Sequence, residues 1–277
     1  MIKKSVRLLI LLKAFVFIVV AVPIVWGFSL AFRSNQEIAG MTGFNRYTFV
    51  PEAPTFDNFF RLFKMVNVGR VFMLTLFVSI SVTLLNLFIN SLAAYSFAKI
   101  NFALKNVFFS LMIATLAIPV EILIIPLYRQ ISAMGMMNSL TALIIPFSAS
   151  AFGIFFLRQF FLGIPRELEE AAIIDGCGRF RIYRSVIIPL SRTALTTLGL
   201  TIFLQQWDSF LVPVTFISSQ SRMLLQVAIN YIYSGLYFND FGVLFAGMVI
   251  ASVPIIVLFL FLQRYYVAGI STTGIKG

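Results

Sequence analysis

Long apolar stretches recur along the chain, separated by short breaks that carry most of the charge. They cover residues 14–32, 71–97, 106–131, 141–161, 187–212 and 241–262. Each is close to or beyond the roughly 20 residues a helix needs to cross the hydrocarbon core. None alternates with period two, as a strand of a membrane barrel would, and a helix satisfies its own backbone groups in lipid. The pattern predicts an all-α membrane protein, one transmembrane domain over 1–277 with six spanning helices. Three segments break the pattern: a polar stretch at 33–70, a charged loop at 163–186 and a tail at 263–277. In the first, Phe56, Phe59, Phe60 and Phe63 follow Thr55 at helical spacing, which predicts a short amphipathic helix on the membrane surface.

Composition supports lipid as the solvent. Hydrophobic residues make up 60% of the 277 and charged residues 11%, against about 25% charged in soluble domains. The net charge of +11 would suggest nucleic acid in a soluble protein. Here the basic residues gather at the ends of apolar runs, which is a topology signal. With both termini cytoplasmic, 14 of the 21 Lys and Arg fall on the inner side and seven outside. The run after Lys3, Lys4, Arg7 and Lys13 is longer than a signal-peptide core and no small-x-small cleavage site follows, so it reads as an uncleaved first helix. The absence of histidine and the single cysteine, Cys177, exclude His-based catalysis, most zinc sites and an internal disulfide. No phosphate-loop motif is present, so no cofactor or metal is expected on this chain.

The loop at 163–186 is the most informative segment. Pro165 suits a first helical turn, and Glu167, Glu169 and Glu170 sit where the helix dipole favours negative charge. Leu168, Ala171, Ala172 and Asp175 then share a face, with small residues that permit close approach to a groove. Gly176 and Gly178 allow a sharp turn. A second helix follows, with Phe180, Tyr183, Ile187 and Leu190 on one stripe and Arg181 and Arg184 on the other side. Read from the residues alone, the block is either a docking element or an amphipathic surface helix-turn-helix.

Glu170-Ala171-Ala172, then Gly176, then Val186-Ile187-Ile188-Pro189 resembles the E-A-A…G…I-x-L-P loop of permeases of bacterial ATP-binding-cassette (ABC) importers. Over nearly its whole length the chain resembles the shorter permease of the maltose-type carbohydrate importers. The similarity runs through Pro54-Thr55-Phe56-Asp57-Asn58-Phe59, Pro119, Pro126-Leu127-Tyr128, Gly135, Trp207-Asp208-Ser209-Phe210 and the stretch from Gln263 to Gly277. Asp208 and Ser209 depart from the W-N-[ED]-F pattern, and Thr193 stands where proline is common. The resemblance implies a permease of the bacterial inner membrane that is not an enzyme. ATP and Mg would belong to two partner ATPases. The other partners would be a second permease and an extracytoplasmic solute-binding protein, with a sugar as cargo and no nucleic acid. It further implies that Glu167, Glu170, Ala171, Ala172, Asp175, Gly176, Arg181 and Arg184 couple to the ATPases, and that Gly274, Lys276 and Gly277 in the tail reach them.

Polar residues also occur within the apolar runs. Thr75, Ser79, Thr83, Asn86 and Asn90 fall on one helical face, as do Thr197, Thr201, Gln205 and Asp208. These faces either line a solute path, with Tyr128, Trp207 and Tyr231 available to stack on sugar rings, or hydrogen-bond between helices. Glu121 is either functional or a stabiliser of the kink between Pro119 and Pro126. The alternatives at the level of the whole chain are an importer permease for glycerol phosphate, a polyamine or a peptide, a secondary transporter, and a membrane-embedded enzyme. The last is disfavoured because the acidic residues outside the loop are dispersed.

Overall fold

The structure is a computed structural model that describes residues 2–43, 47–234 and 240–273, with side chains described over 9–43, 47–232 and 240–261. In chain order the helices are α1 (Ile2–Ala31), α2 (Asn35–Ala39), α3 (Asp57–Met65), α4 (Val68–Lys99), α5 (Lys105–Ala114) and α6 (Val120–Ala133). Then come α7 (Thr141–Ile144), α8 (Ala151–Leu162), α9 (Glu167–Ile174), α10 (Arg179–Ile182), α11 (Ile188–Leu190) and α12 (Arg192–Trp207). Last are α13 (Leu211–Phe216), α14 (Leu225–Ser234) and α15 (Phe241–Thr273). Among the described residues, three helices, spanning Leu9–Ala31, Val68–Lys99 and Phe241–Phe261, are long and apolar enough to cross a membrane, or up to five if each of two bent pairs is one span. From Leu9 to Val20 nearly every side chain of α1 is apolar and exposed, a state that lipid stabilises and water does not.

The chain packs as two units, one of residues 1–70 with 225–254 and the other of 71–224 with 255–277. In the first, Ala31, Leu62, Val68, Ile232, Val243 and Ala246 form a small core. The end of α1 is closed by side chains, since a helix terminus leaves four carbonyls unpaired. The Asn58 amide donates to the carbonyls of Ala31 (2.9 Å) and Arg33 (2.7 Å). Arg61 in turn bonds the Asn58 carbonyl oxygen at 2.8 Å and Asp240 at 2.6 Å. A Cβ on Gly242 would lie 2.5 Å from Asn58, so α15 approaches α3 only through glycine there. The expected amphipathic helix is α3, but its phenylalanines divide. Asn58 and Leu62 are buried and Phe59 rests on Phe32 (5.3 Å between ring centres), whereas Phe60 and Phe63 face outward.

The second unit has its core along α4, where Val78, Val82, Ala94, Tyr95 and Ala98 join Leu157 and Phe161 of α8 and Ala194, Leu198 and Ile202 of α12. The stretch read as one span at 106–131 is a pair bent by 104°. The bend falls where Ile118 turns extended ahead of Pro119, as the residue before a proline is driven to do. The stretch read as 141–161 is the four-residue α7, a break containing Pro146, and the twelve-residue α8, capped by Ser150. The stretch read as 187–212 is helical from α11 through α12 to Trp207, with α12 bent 79° from the segment before it.

Candidate functional site

The charged loop folds as α9, a tight turn and α10. No side chain caps α9, whose first turn carries Glu167, Glu169 and Glu170. Its end closes with two hydrogen bonds: the Gly176 N–H donates to the Ile173 carbonyl and the Cys177 N–H to the Ala172 carbonyl, both at 2.9 Å. This is the Schellman arrangement, which needs a left-handed residue after the cap. Gly176 supplies it with φ +77°, and nothing lies within 4 Å of where its Cβ would be. The glycine is therefore required by backbone conformation, not by crowding within the chain.

Three residues of α4 fasten this loop to it. The ammonium of Lys99, the last residue of α4, lies 2.5 Å from the Glu169 carboxylate, with side chains 6% and 15% exposed. The same Nζ donates to the Ile164 carbonyl at 2.9 Å. The Tyr95 hydroxyl donates to the Arg179 carbonyl (3.2 Å), and the Tyr183 hydroxyl meets the Ser91 hydroxyl (2.8 Å). The loop is thus held to α4 by one ion pair, three hydrogen bonds and packed tyrosine rings 5.4 Å apart. Sequence reasoning named none of these pairs. A partner 70 residues away, as Glu169 is from Lys99, leaves no local signal.

The loop's outer surface is uncovered. Glu167, Glu170, Ala171, Asp175, Gly176, Arg181 and Arg184 are exposed, and Leu168, Ile173, Ile174 and Phe180 stand out beside them, Ile174 at 86%. Ala172 does not share that face; it packs inward on the core. The expected stripe of Phe180, Tyr183, Ile187 and Leu190 is also split, with Tyr183 and Ile187 buried and Phe180 and Leu190 exposed. The cause is a π-helical turn at Tyr183–Ile187, which adds a residue to the turn and shifts the face.

The polar residues of the spans separate into two groups. Asn86 and Asn90 are brought together with Ser150 and their polar groups are used internally. Asn86 donates to the Phe147 carbonyl (2.8 Å) and Asn90 to the Ser150 hydroxyl (3.1 Å), while Asn90 also donates to Asn86. Ser150 returns bonds from its N–H to Asn90 and from its hydroxyl to Asn86, each 3.1 Å. Gly153 makes room, since a Cβ there would lie 2.0 Å from the Asn90 amide. Thr75, Thr83, Thr197 and Thr201 bond back to carbonyls one turn earlier. On this face of α4, Asn86 and Asn90 bond to the break at 147–150 ahead of α8. Trp207 is fully buried between Phe72 (5.3 Å) and Phe203 (5.8 Å). Glu121 and Tyr128 are exposed on α6, Gln205 and Asp208 at the end of α12, and Tyr231 on α14. Gly274, Lys276 and Gly277 lie outside the described residues. Among the described residues, no group of His, Cys, Asp and Glu is arranged to hold a metal ion.

The pattern described as the inner membrane component of binding-protein-dependent transport systems matches residues 89–272. The chain belongs to this family. The permease is similar to the arabinooligosaccharides transport system permease protein of Halalkalibacterium halodurans, 33% identical over 95% of this chain and 94% of the relative. It is also similar to the sn-glycerol-3-phosphate transport system permease protein of Yersinia enterocolitica, 34% identical over 69% of this chain and 68% of the relative. In fold it matches a chain of a bacterial ABC transporter involved in the import of the acidic polysaccharide alginate, with a TM-score of 0.82, 22% identity and coverage of 95% and 96%. The permease is accordingly a multi-pass inner membrane component of an ABC importer, a transport subunit and not an enzyme, and its family implies ATPase and binding-protein partners.

Proposed function

We propose that this permease forms half of the translocation pore of an importer for a sugar or oligosaccharide. In this reading it pairs with a second, different permease and two ATPase subunits, and receives solute from an external binding protein. Both termini are cytoplasmic and six spans cross the membrane: α1, α4, the bent pair α5–α6, the α7–α8 stretch, α12 and α15. The loop at 163–186 then lies inside and docks in a cleft of the ATPase, with Glu167, Glu170, Ala171, Asp175, Gly176, Arg181 and Arg184 at the contact. The tail at 263–277 reaches the ATPases as well. Glu121, Tyr128, Gln205, Asp208 and Tyr231 are the remaining polar positions available to solute.

The observation that carries the reading is the pairing of an uncovered apolar outer face on α9 with a desolvated ion pair, Lys99–Glu169, on its inner side. A helix of this kind is incomplete without a partner and is rigidly fixed to a span. ATP binding closes the ATPase pair, α9 moves with it, and α4 follows through Lys99, Tyr95 and Ser91. The bundle shifts between two packings whose populations are set by differential nucleotide affinity. Because the relatives include a transporter of arabinooligosaccharides and one of glycerol phosphate, the cargo is the point to test. The assembled importer, reconstituted with its binding protein, should take up a labelled oligosaccharide in an ATP-dependent manner and be stabilised thermally by it. Uptake of glycerol phosphate, a polyamine or a peptide in place of any sugar would reject the carbohydrate assignment.

A further inference from the structure

We propose that a cleft beside α9 holds the phosphate of an anionic phospholipid of the inner leaflet, and that this lipid braces the coupling loop. The cleft, of about 690 Å³, is walled by the turn from α4 to α5, the end of α8 and α9. Four of its side chains are cations, Lys99, Lys105, Arg158 and Arg166, and two are carboxylates, Glu169 and Glu170. Lys99 is matched by Glu169 at 2.5 Å. Among the described residues, Lys105, Arg158 and Arg166 enter no ion pair. Lys105 donates to the Ile100 carbonyl (2.9 Å), and Arg158 donates through Nε to the Phe97 carbonyl (3.1 Å) and covers the Phe109 ring (4.0 Å). An ammonium has three donors and a guanidinium five, so donors remain. Against Glu170, the one carboxylate left in the cleft, these three cations leave a net positive charge, and one shared phosphodiester balances it with charge-assisted hydrogen bonds.

A lipid fits better than a soluble anion because exposed apolar side chains share the wall with Asn101 and Asn106. Phe102, Leu104, Val107 and Leu162 line the same cleft and are exposed. Lys99 ends α4 and Lys105 begins α5, so the cleft lies where two spans leave the membrane. Basic pockets at that level on the cytoplasmic side take anionic headgroups. Arg166 immediately precedes α9 and Lys105 starts α5, so one phosphate held by both ties the first turn of the coupling helix to the α4–α5 turn. The location in the inner leaflet rests on the orientation proposed above.

The test uses the assembled importer in nanodiscs of phosphatidylcholine with or without phosphatidylglycerol, with retained lipid counted by native mass spectrometry. Wild type should retain phosphatidylglycerol in preference to phosphatidylcholine. The Lys105→Gln/Arg166→Gln pair should lose retention by roughly fivefold per charge removed, and Lys105→Arg/Arg166→Lys should restore it. Excess inorganic phosphate should leave the lipid in place. Equal retention of the two lipids by wild type, unchanged retention in the Gln pair, or displacement by inorganic phosphate would each overturn the proposal, the last by assigning the cleft to a free anion. Charge-dependent retention without ATP-driven uptake would support the lipid site and count against the transport reading, so the two failures are distinguishable.

Discussion

Removing the Lys99 ammonium is the most informative perturbation of the loop. In Lys99→Met the Glu169 carboxylate, 15% exposed, loses its counter-ion, and the Ile164 carbonyl loses its donor. Breaking a desolvated pair from one side costs about 3 kcal/mol, because the remaining charge stays buried or must leave. That energy acts on the seating of α9 against α4 and corresponds to a shift of about a hundredfold in the docked-to-undocked ratio. Glu169→Gln should cost less, since a neutral amide oxygen still accepts from Lys99. Lys99→Met/Glu169→Met should recover much of the loss, as replacing both partners avoids the orphaned charge. Amide hydrogen exchange along α9 in the assembled importer reads the seating, and solute moved per ATP hydrolysed reads the coupling. Lys99→Met should speed exchange in α9 by one to two orders of magnitude and lower the transport-to-hydrolysis ratio. Wild-type exchange and an unchanged ratio would refute the tether.

Three further outcomes follow from the same geometry. Gly176→Ala places a Cβ at φ +77° and should loosen the α9 turn by about 1–2 kcal/mol, lowering uptake per ATP, whereas Gly176→Asn should cost less; equal and wild-type coupling in both would contradict the backbone argument. Gly153→Ala drives a methyl to 2.0 Å from the Asn90 amide and should lower the thermal stability of the purified complex by about 1–3 kcal/mol; an unchanged melting temperature would count against this packing. Asn90→Ala strips the Ser150 N–H of its acceptor and should cost about 1–3 kcal/mol of stability while leaving KM for solute unchanged; a large rise in KM at normal stability would return this face to the solute path.

Much of this architecture was legible in the sequence, and the limits have identifiable causes. Run length alone marks α1, α4 and α15, because a helix that must be apolar for twenty residues has few disguises. The spacing from Glu170 to Gly176 fixes α9 and its turn, because only the left-handed position after a helix demands glycine so strictly. Pro119 announces a break, but its 104° bend depends on what both halves pack against. The π turn at Tyr183–Ile187 has no compositional mark, so the stripe from Phe180 to Leu190 was assigned to one face when it occupies two. The Asn86 and Asn90 face was visible, but their bonds to Phe147 and Ser150, some 60 positions on, leave no local mark. Trp207 is hidden by Phe72, which sequence spacing could not connect to it.

The central claim is that the helix ending at Gly176 is gripped from the cytoplasm by a separate ATP-driven subunit. A cysteine at Ile174, which is 86% exposed, in a chain carrying Cys177→Ser, tests this directly in the assembled importer with short bifunctional cross-linkers. The account predicts a cross-link to the ATPase subunit whose yield changes when a non-hydrolysable ATP analogue is added, and protection of that cysteine from membrane-impermeant reagents applied outside intact cells. Labelling from the outside, or no cross-link in an importer that still transports, would contradict it.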